Sequence, residues 1–299
     1  MKLTLAFWCL LVFNSIGQNS KISDFPMSES SLLWEISRAD LNEPSYLFGT
    51  IHLISEENYF LPDTLVHLLE GSDILMMEID LNFDQANIAD LLILTEDRFS
   101  DYFTKEQMDT VLTWVEQYLG ATPEEFETSM GRLKPFVFSF IAANIDALLG
   151  EQGDSISGME SYEVNLDAIA DTAGIQIAGL ETVEEQISFF DNLSKEQQAE
   201  FVMASLRENE TGINTELENY YLSQNVDSIY ILIDSLGGVL STEQSVFLNK
   251  RNINWVPKIM EIIVDRKAFI AVGAGHLGGP SGLIRLLQRE GYTLKPVEL

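Results

Sequence analysis

Cysteine is almost missing from this sequence: Cys9 is the only one in 299 residues. It lies in a leading apolar stretch, so the chain beyond that stretch has no disulfide, no thiolate metal ligand and no cysteine nucleophile. Basic residues are scarce as well. Lys plus Arg is 17 against 47 Asp plus Glu, a formal net charge of −30. That balance excludes a phosphate-backbone binder, which needs lysine and arginine, so no nucleic-acid partner is expected. It equally disfavours docking on an anionic membrane surface, and it suits cationic partners, divalent metals among them. Histidine is limited to His52, His67 and His276. There is no His-Glu-x-x-His, no Gly-x-Ser-x-Gly elbow, no P-loop and no dinucleotide fingerprint, and nothing marks a nucleophilic serine. What is present is a globular composition, 46% hydrophobic, with enough length to bury a large core.

The first residues differ from the rest. Lys2 gives a positive start, Leu3 to Phe13 is nearly all apolar, and Ser15 and Gly17 are small residues two apart. The run is shorter than the roughly 20 residues a membrane-spanning helix needs. The pattern is that of an export signal over residues 1–17, cut between Gly17 and Gln18. The expected product is a periplasmic or secreted protein, a single domain over 18–299, with no stable membrane insertion.

Strand signals cluster at the two ends of that domain. Residues 32–37 and 45–51 flank an Asn-Glu-Pro turn and predict a hairpin; 73–80 predicts a third strand, after a helix over 62–70. Helical spacing then dominates, with helices expected at 105–119, from Pro123, at 135–149 and at 162–173. A short strand follows at 175–180, then helices at 183–192, 195–208, 213–223, 226–236 and 242–264. A buried strand at 268–272, a helix at 282–289 and a last strand at 292–297 close the chain. The predicted fold is α/β, or mixed α+β: a central mixed sheet built from both chain ends, with a helical lobe inserted at about 84–174.

Two histidines share one frame. Gly49-Thr50-Ile51-His52 and Gly273-Ala274-Gly275-His276 each put glycine three residues before histidine, at a strand exit. Glycine there permits a positive φ or a close approach, and a strand's carboxyl end is where α/β folds bind ligands. His67, in a short amphipathic helix, reads as a surface residue. Glu78 falls in an apolar strand, where a carboxylate is costly unless paired or bound to a cation. Glu181 ends the strand 175–180. Glu160 and Glu163 lie nearby, and Glu163 reads first as a carboxylate favoured by a helix N-terminus. Arg251, a rare cation inside a helix, could hold a carboxylate pair or an oxyanion.

Taken together, Phe48-Gly49-Thr50-Ile51-His52, Met77-Glu78-Ile79-Asp80, Gly179-Leu180-Glu181-Thr182, Arg251-Asn252 with Trp255, and Val272-Gly273-Ala274-Gly275-His276-Leu277 resemble the TraB/PrgY/GumN family, which includes the Tiki metalloproteases. The resemblance runs from about Ser31 to Val297. It implies a fold similar to those of erythromycin esterases and the haem-binding ChaN proteins. For Tiki-like members it implies a peptidase that depends on a divalent metal and can use manganese or cobalt. Carried over by motif, His52 and His276 are the paired histidines, Glu78 and Glu181 the carboxylates, and Arg251 the arginine. Many bacterial members have Asp where Glu160 stands.

The expected activity is therefore an exported, divalent-metal-dependent hydrolase acting on peptides or small molecules. His52, His276, Glu78 and Glu181 are the expected metal ligands, with Mn, Co or Zn equally suited to such a set. Glu78, Glu181 and Arg251 are the expected catalytic groups. Two alternatives stand beside it. One is a metal-independent, esterase-like hydrolase with histidine as general base. The other is a non-enzymatic protein that binds haem, iron or a peptide, for which Tyr46 or His67 could supply an axial ligand.

Overall fold

The computed structural model describes residues 30–81, 85–143, 145, 158–211, 213–236 and 241–299. The stretch read as an export signal lies outside the described residues, as does part of the expected helical lobe.

Six strands form one sheet: β1 (Leu33–Ser37), β2 (Ser45–Thr50), β4 (Ile74–Met77), β6 (Gln176–Gly179), β7 (Ala268–Gly273) and β8 (Thr293–Val297). Their order is β6-β4-β7-β2-β1-β8. The strands β6, β4, β7 and β2 are mutually parallel, and β1 runs antiparallel to both β2 and β8. The β1–β2 pair is the expected hairpin. All six expected strands occur, within two or three residues of their expected ends. A two-stranded ribbon, β3 (Ile54–Ser55) with β5 (Met159–Glu160), was not legible from pattern, because two residues carry no periodicity.

The central strands read as continuous apolar runs because helices cover them on both sides. In β7, Ala268, Phe269, Ile270, Ala271 and Val272 are all buried. Helix α1 (Asp63–Glu70) joins β2 to β4 and buries Leu65 and Leu69, four residues apart on one face. The helices α2 (Gln85–Leu91), α3 (Lys105–Trp114), α4 (Pro123–Met130) and α5 (Pro135–Ala143) fall in the expected lobe. Thr104 and Thr122 open α3 and α4 as capping boxes with Gln107 and Glu125. The lobe carries a separate aromatic core around Phe99, Phe126, Phe138 and Trp114.

Helix α6 (Tyr162–Ala173) leads into β6. It is followed by α7 (Val183–Asp191), α8 (Lys195–Thr211), α9 (Ile213–Leu222), α10 (Val226–Leu236) and the long α11 (Ser241–Asp265), with α12 (Leu283–Arg289) before the last strand. Among the described residues no helix is long and apolar enough to cross a membrane.

Four parallel strands with the same direction end on the same edge. Thr50 at the end of β2 is level with Gly273 at the end of β7. Met77 at the end of β4 is level with Gly179 at the end of β6. The expected strand over 73–80 is shorter than pattern suggested: regular pairing ends at Met77, and Glu78 is the first residue past it. The backbones stay in step for one more residue, because Glu181 N–H donates to the Glu78 carbonyl at 2.9 Å. His52, Glu78, Glu181 and His276 are thus delivered by four neighbouring strand ends.

Candidate active site

The two Gly-x-x-His segments meet because β2 and β7 are adjacent and parallel. Neither glycine takes a positive φ; close approach is the reason for both. A Cβ at Gly49 would sit 3.0 Å from Leu277 Cδ2 and 3.1 Å from Ala274 Cα, so bare backbone lets the two loops touch. A Cβ at Gly273 would sit 3.3 Å from Glu78 Oε1 and 3.6 Å from His52 Nε2, so these two groups converge over one backbone position. Gly273 N–H also donates to Glu78 Oε1 at 2.8 Å.

Arg251, on α11, is the hub. Its Nη2 donates to Glu78 Oε2 at 2.5 Å and to Glu181 Oε1 at 2.6 Å. Its Nε donates to both Glu181 oxygens, at 3.0 and 3.2 Å. Its Nη1 donates to His276 Nε2 at 3.2 Å. One turn along the helix, Trp255 places its ring 4.7 Å from the guanidinium and donates from Nε1 to Glu181 Oε2 at 3.2 Å. All of these polar groups are buried: Glu78 is 3% exposed, His276 4%, Glu181 7% and Arg251 8%. A buried carboxylate survives ionised only beside such a partner. Burial alone would raise the Glu78 carboxyl, but the Arg251 charge, together with the two imidazoles and the Gly273 N–H, outweighs it and holds the group down at about 2. Glu181 ends raised, by burial and by the neighbouring Glu78 charge, against the pull of Arg251.

The tautomer of His276 follows from its neighbours. Asn252 Nδ2 donates to the carbonyls of His276 and Ser281, at 3.2 and 2.9 Å. Its Oδ1 therefore faces His276 Nδ1, 2.7 Å away, and takes that proton. This leaves Nε2 as the lone-pair nitrogen. Burial and the Arg251 charge push the His276 imidazole down to about 3, so it is neutral across the ordinary pH range.

His52 is held differently. Its Nδ1 lies 3.0 Å from Glu163 Oε1, which also accepts from Thr50 Oγ1 at 2.6 Å. Burial would lower this imidazole, but the charges of Glu163 and Glu78 and the Glu163 contact raise it instead. Among side chains, imidazole is the one whose ordinary pKa lies closest to neutrality, so His52 is the site's natural acid–base group. Glu163 is thus more than a helix N-terminal carboxylate: it stands in the first turn of α6, yet its side chain is 3% exposed and turned onto the histidine loop. A signal for it exists in the sequence. Glu163, Leu166 and Ala170 share the inward face of α6, and a carboxylate on an apolar helix face needs a partner.

Asn252, Thr50 and Trp255 are further residues of the site that pattern reasoning left without a role. Glu160 is not among them; it accepts from Asn165 Nδ2 at 2.9 Å. His67 is exposed on α1, as its spacing suggested.

His52, Glu78, Arg251 and His276 line a cavity of about 70 Å³. Glu181 stands behind Arg251 and is not part of the cavity wall. Among the described residues no three His, Cys, Asp or Glu side chains are already gathered as a ligand cage. The donor chemistry nonetheless suits a divalent ion. Each cavity histidine has Nδ1 against an oxygen, which is how metal-binding imidazoles are oriented. Glu78 Oε1 lies 3.6 Å from His276 Nε2. An ion using His276 would have to displace the Arg251 Nη1 contact.

A model of the TraB/PrgY/gumN family matches residues 32–296. The chain belongs to that family. The match covers all six strands of the sheet but for the last residue of β8, and it takes in both Gly-x-x-His segments and Arg251. Neither the curated proteins nor the solved structures contain a match to the chain.

Proposed function

We propose that this protein is a hydrolase that activates water at the carboxyl edge of its sheet, acting on peptides, with a divalent ion as cofactor. The observation that carries the reading is the pair of imidazoles on one cavity, each oriented through Nδ1 by an oxygen, with an ionised carboxylate between them. His52 and His276 through Nε2, and Glu78 through Oε1, are the groups that would hold Mn, Co or Zn. When bound, the ion supplies a Lewis acid and lowers the pKa of a coordinated water.

The remaining roles belong to the chain itself. Arg251 keeps Glu78 ionised, so that this carboxylate accepts rather than donates a proton at neutral pH. Its Nη1 touches His276 on the cavity wall, which makes Arg251 the cation that would meet a developing oxyanion. Glu181 and Trp255 fix the guanidinium from behind, which makes Glu181 an anchor for Arg251 rather than a ligand. Export to the periplasm or the exterior, inferred from residues 1–17, is part of the same reading.

A second reading rests on a specific contact. Arg251 already supplies the positive charge that Glu78 and His276 face, and His52 with Glu163 forms a histidine–carboxylate pair of the kind that serves as general base. In that version His52 takes the proton of water directly, and no ion is needed.

One experiment separates them. Metal content is measured on the purified protein and on the His52→Ala/His276→Ala variant, beside peptide-library hydrolysis with and without chelator. The first reading expects about one ion per chain, lost in the variant, and activity that chelation removes and Mn²⁺ or Co²⁺ restores. Hydrolysis that survives chelation and vanishes in His52→Ala selects the second. Hydrolysis unaffected by either histidine sinks both.

A further inference from the structure

The cavity has two unlike sides. The polar floor carries Glu78 and the two histidines from the sheet edge and Arg251 from α11. The roof comes from three helices and is aliphatic: Leu217 of α9, Ile229 and Ile233 of α10, and Leu248 of α11. Tyr221, also on α9, adds a ring, but its hydroxyl donates to the Gly49 carbonyl at 3.1 Å. Among the described lining residues the roof therefore offers nothing to a charged or amide group, and stripping water from such a group costs several kcal/mol.

The space is also small. About 70 Å³ is near half of the roughly 150 Å³ that admits a benzene ring. Ile233 sets one limit, because its Cδ1 would stand only 2.5 Å from a Cβ at Gly275. That glycine lets the α10 side chain settle onto the histidine loop.

We infer that the aliphatic side of the cavity is a specificity subsite for a short aliphatic side chain, no larger than Val, attached to the carbonyl that is attacked at the polar side, and that Ile233 sets its depth. This rests on the hydrolase reading for the word "attacked", but the fit of the side chain does not. A benzyl or indole group exceeds that volume, and a Lys, Glu or Gln side chain finds no partner among the described residues of the aliphatic side.

The test measures binding first. Isobutyramide and phenylacetamide are titrated separately into wild type, Ile233→Ala and Ile233→Val, followed by ligand-detected NMR. Wild type is expected to bind isobutyramide at least about 10-fold more tightly, since phenylacetamide is four carbons larger and even one mismatched methylene in such a pocket is worth about that much. Ile233→Ala should lose or reverse the preference, and the milder Ile233→Val should move it part-way. Equal binding of the two amides by wild type, no binding of isobutyramide, or an unchanged preference in both variants overturns the inference. Peptide hydrolysis is read in parallel. Selective amide binding without hydrolysis of any peptide keeps the subsite and rejects the hydrolase. Hydrolysis with aromatic and short aliphatic residues cleaved alike does the reverse.

Discussion

Replacing Arg251 with methionine should be among the most damaging single changes available to this fold, and the size of the loss is open to reasoning. The guanidinium makes contacts with Glu78, Glu181 and His276, and the first two are carboxylates buried to 3% and 7% exposure. Methionine fills similar volume, so packing is largely kept. What is lost is the countercharge. Breaking a buried ion pair from one side costs about 3–5 kcal/mol. For a chain of this length that is a fall in Tm of about 5–8 °C, taking the usual unfolding entropy per residue. The carboxylates then face each other without a cation, and one should take up a proton. The cost must therefore shrink as the pH falls. Urea denaturation at pH 7 and pH 4.5, on wild type and Arg251→Met, measures this directly. Adding Glu78→Gln and Glu181→Gln to the variant should restore most of the loss, because the uncompensated charges are gone. A loss below about 1 kcal/mol at pH 7, or one that is the same at both pH values, would falsify the claim that Arg251 is the countercharge of the site.

Glu163→Gln keeps an acceptor for Thr50 but removes the charge that raises His52, so the His52 imidazole should titrate lower; histidine proton NMR checks it, and an unmoved titration would show that Glu163 only packs. Gly49→Ala puts a Cβ 3.1 Å from Ala274 Cα, which backbone cannot yield to cheaply, and urea midpoints should show about 1–3 kcal/mol lost. Acid should weaken the fold through two groups whose folded pKa is depressed. His276, held at about 3 against 6.5, binds a proton in the unfolded chain first, and Glu78, held at about 2 against 4.5, does so next. Their stabilisation is complete above 6.5 and 4.5 and is lost as the pH falls toward 3 and 2, while the raised His52 and Glu181 work in the opposite direction. Denaturation from pH 7 to 3 should show falling stability, with a shallower slope in His276→Gln; a slope identical to wild type would remove His276 from the account.

The sheet was legible because each strand is marked twice, by an apolar run and by a turn residue at its end. Gly71-Ser72 before β4 and Gly273 at the end of β7 are examples. Strand order was not legible. That β7, near the end of the chain, lies between β2 and β4 depends on pairings across about two hundred residues, which periodicity does not encode. Once four parallel strands end together, however, every residue just past a strand becomes a site residue. His52, His276, Glu78 and Glu181 could be named as candidates from sequence because each lies at or just past a strand end, and the sheet brings those ends together. Glu163 and Asn252 were harder. Both stand on helices, and both act by holding an imidazole at Nδ1, so their roles are defined only by the histidine each faces. The short ribbon of β3 and β5, two residues from each of two distant segments, left no pattern at all.

Arg251 gives the site its chemical tension. A family of lone-pair donors around one small cavity would bind a cation readily, and here the protein provides one of its own. The guanidinium cannot lose its proton, and its planar fork spans Glu78 and Glu181 in a way an ion could not. It reaches the two sides unequally. Toward Glu181 it makes three contacts, backed by Trp255; toward His276 it makes one, at 3.2 Å. His276, on the weaker side, lines the cavity, whereas Glu181 does not. An arriving divalent ion would compete for a single contact while the anchoring side stayed intact, so Arg251 can yield His276 without leaving Glu78 bare. Arg251→Lys should upset that division. Lysine retains the charge but not the fork, and it cannot serve Glu181 and Glu78 in the same plane. The expected result is a protein of intermediate stability between wild type and Arg251→Met, with metal uptake that differs from wild type. A lysine variant with wild-type stability and wild-type metal uptake would mean that charge alone, and not the shape of the guanidinium, organises the site.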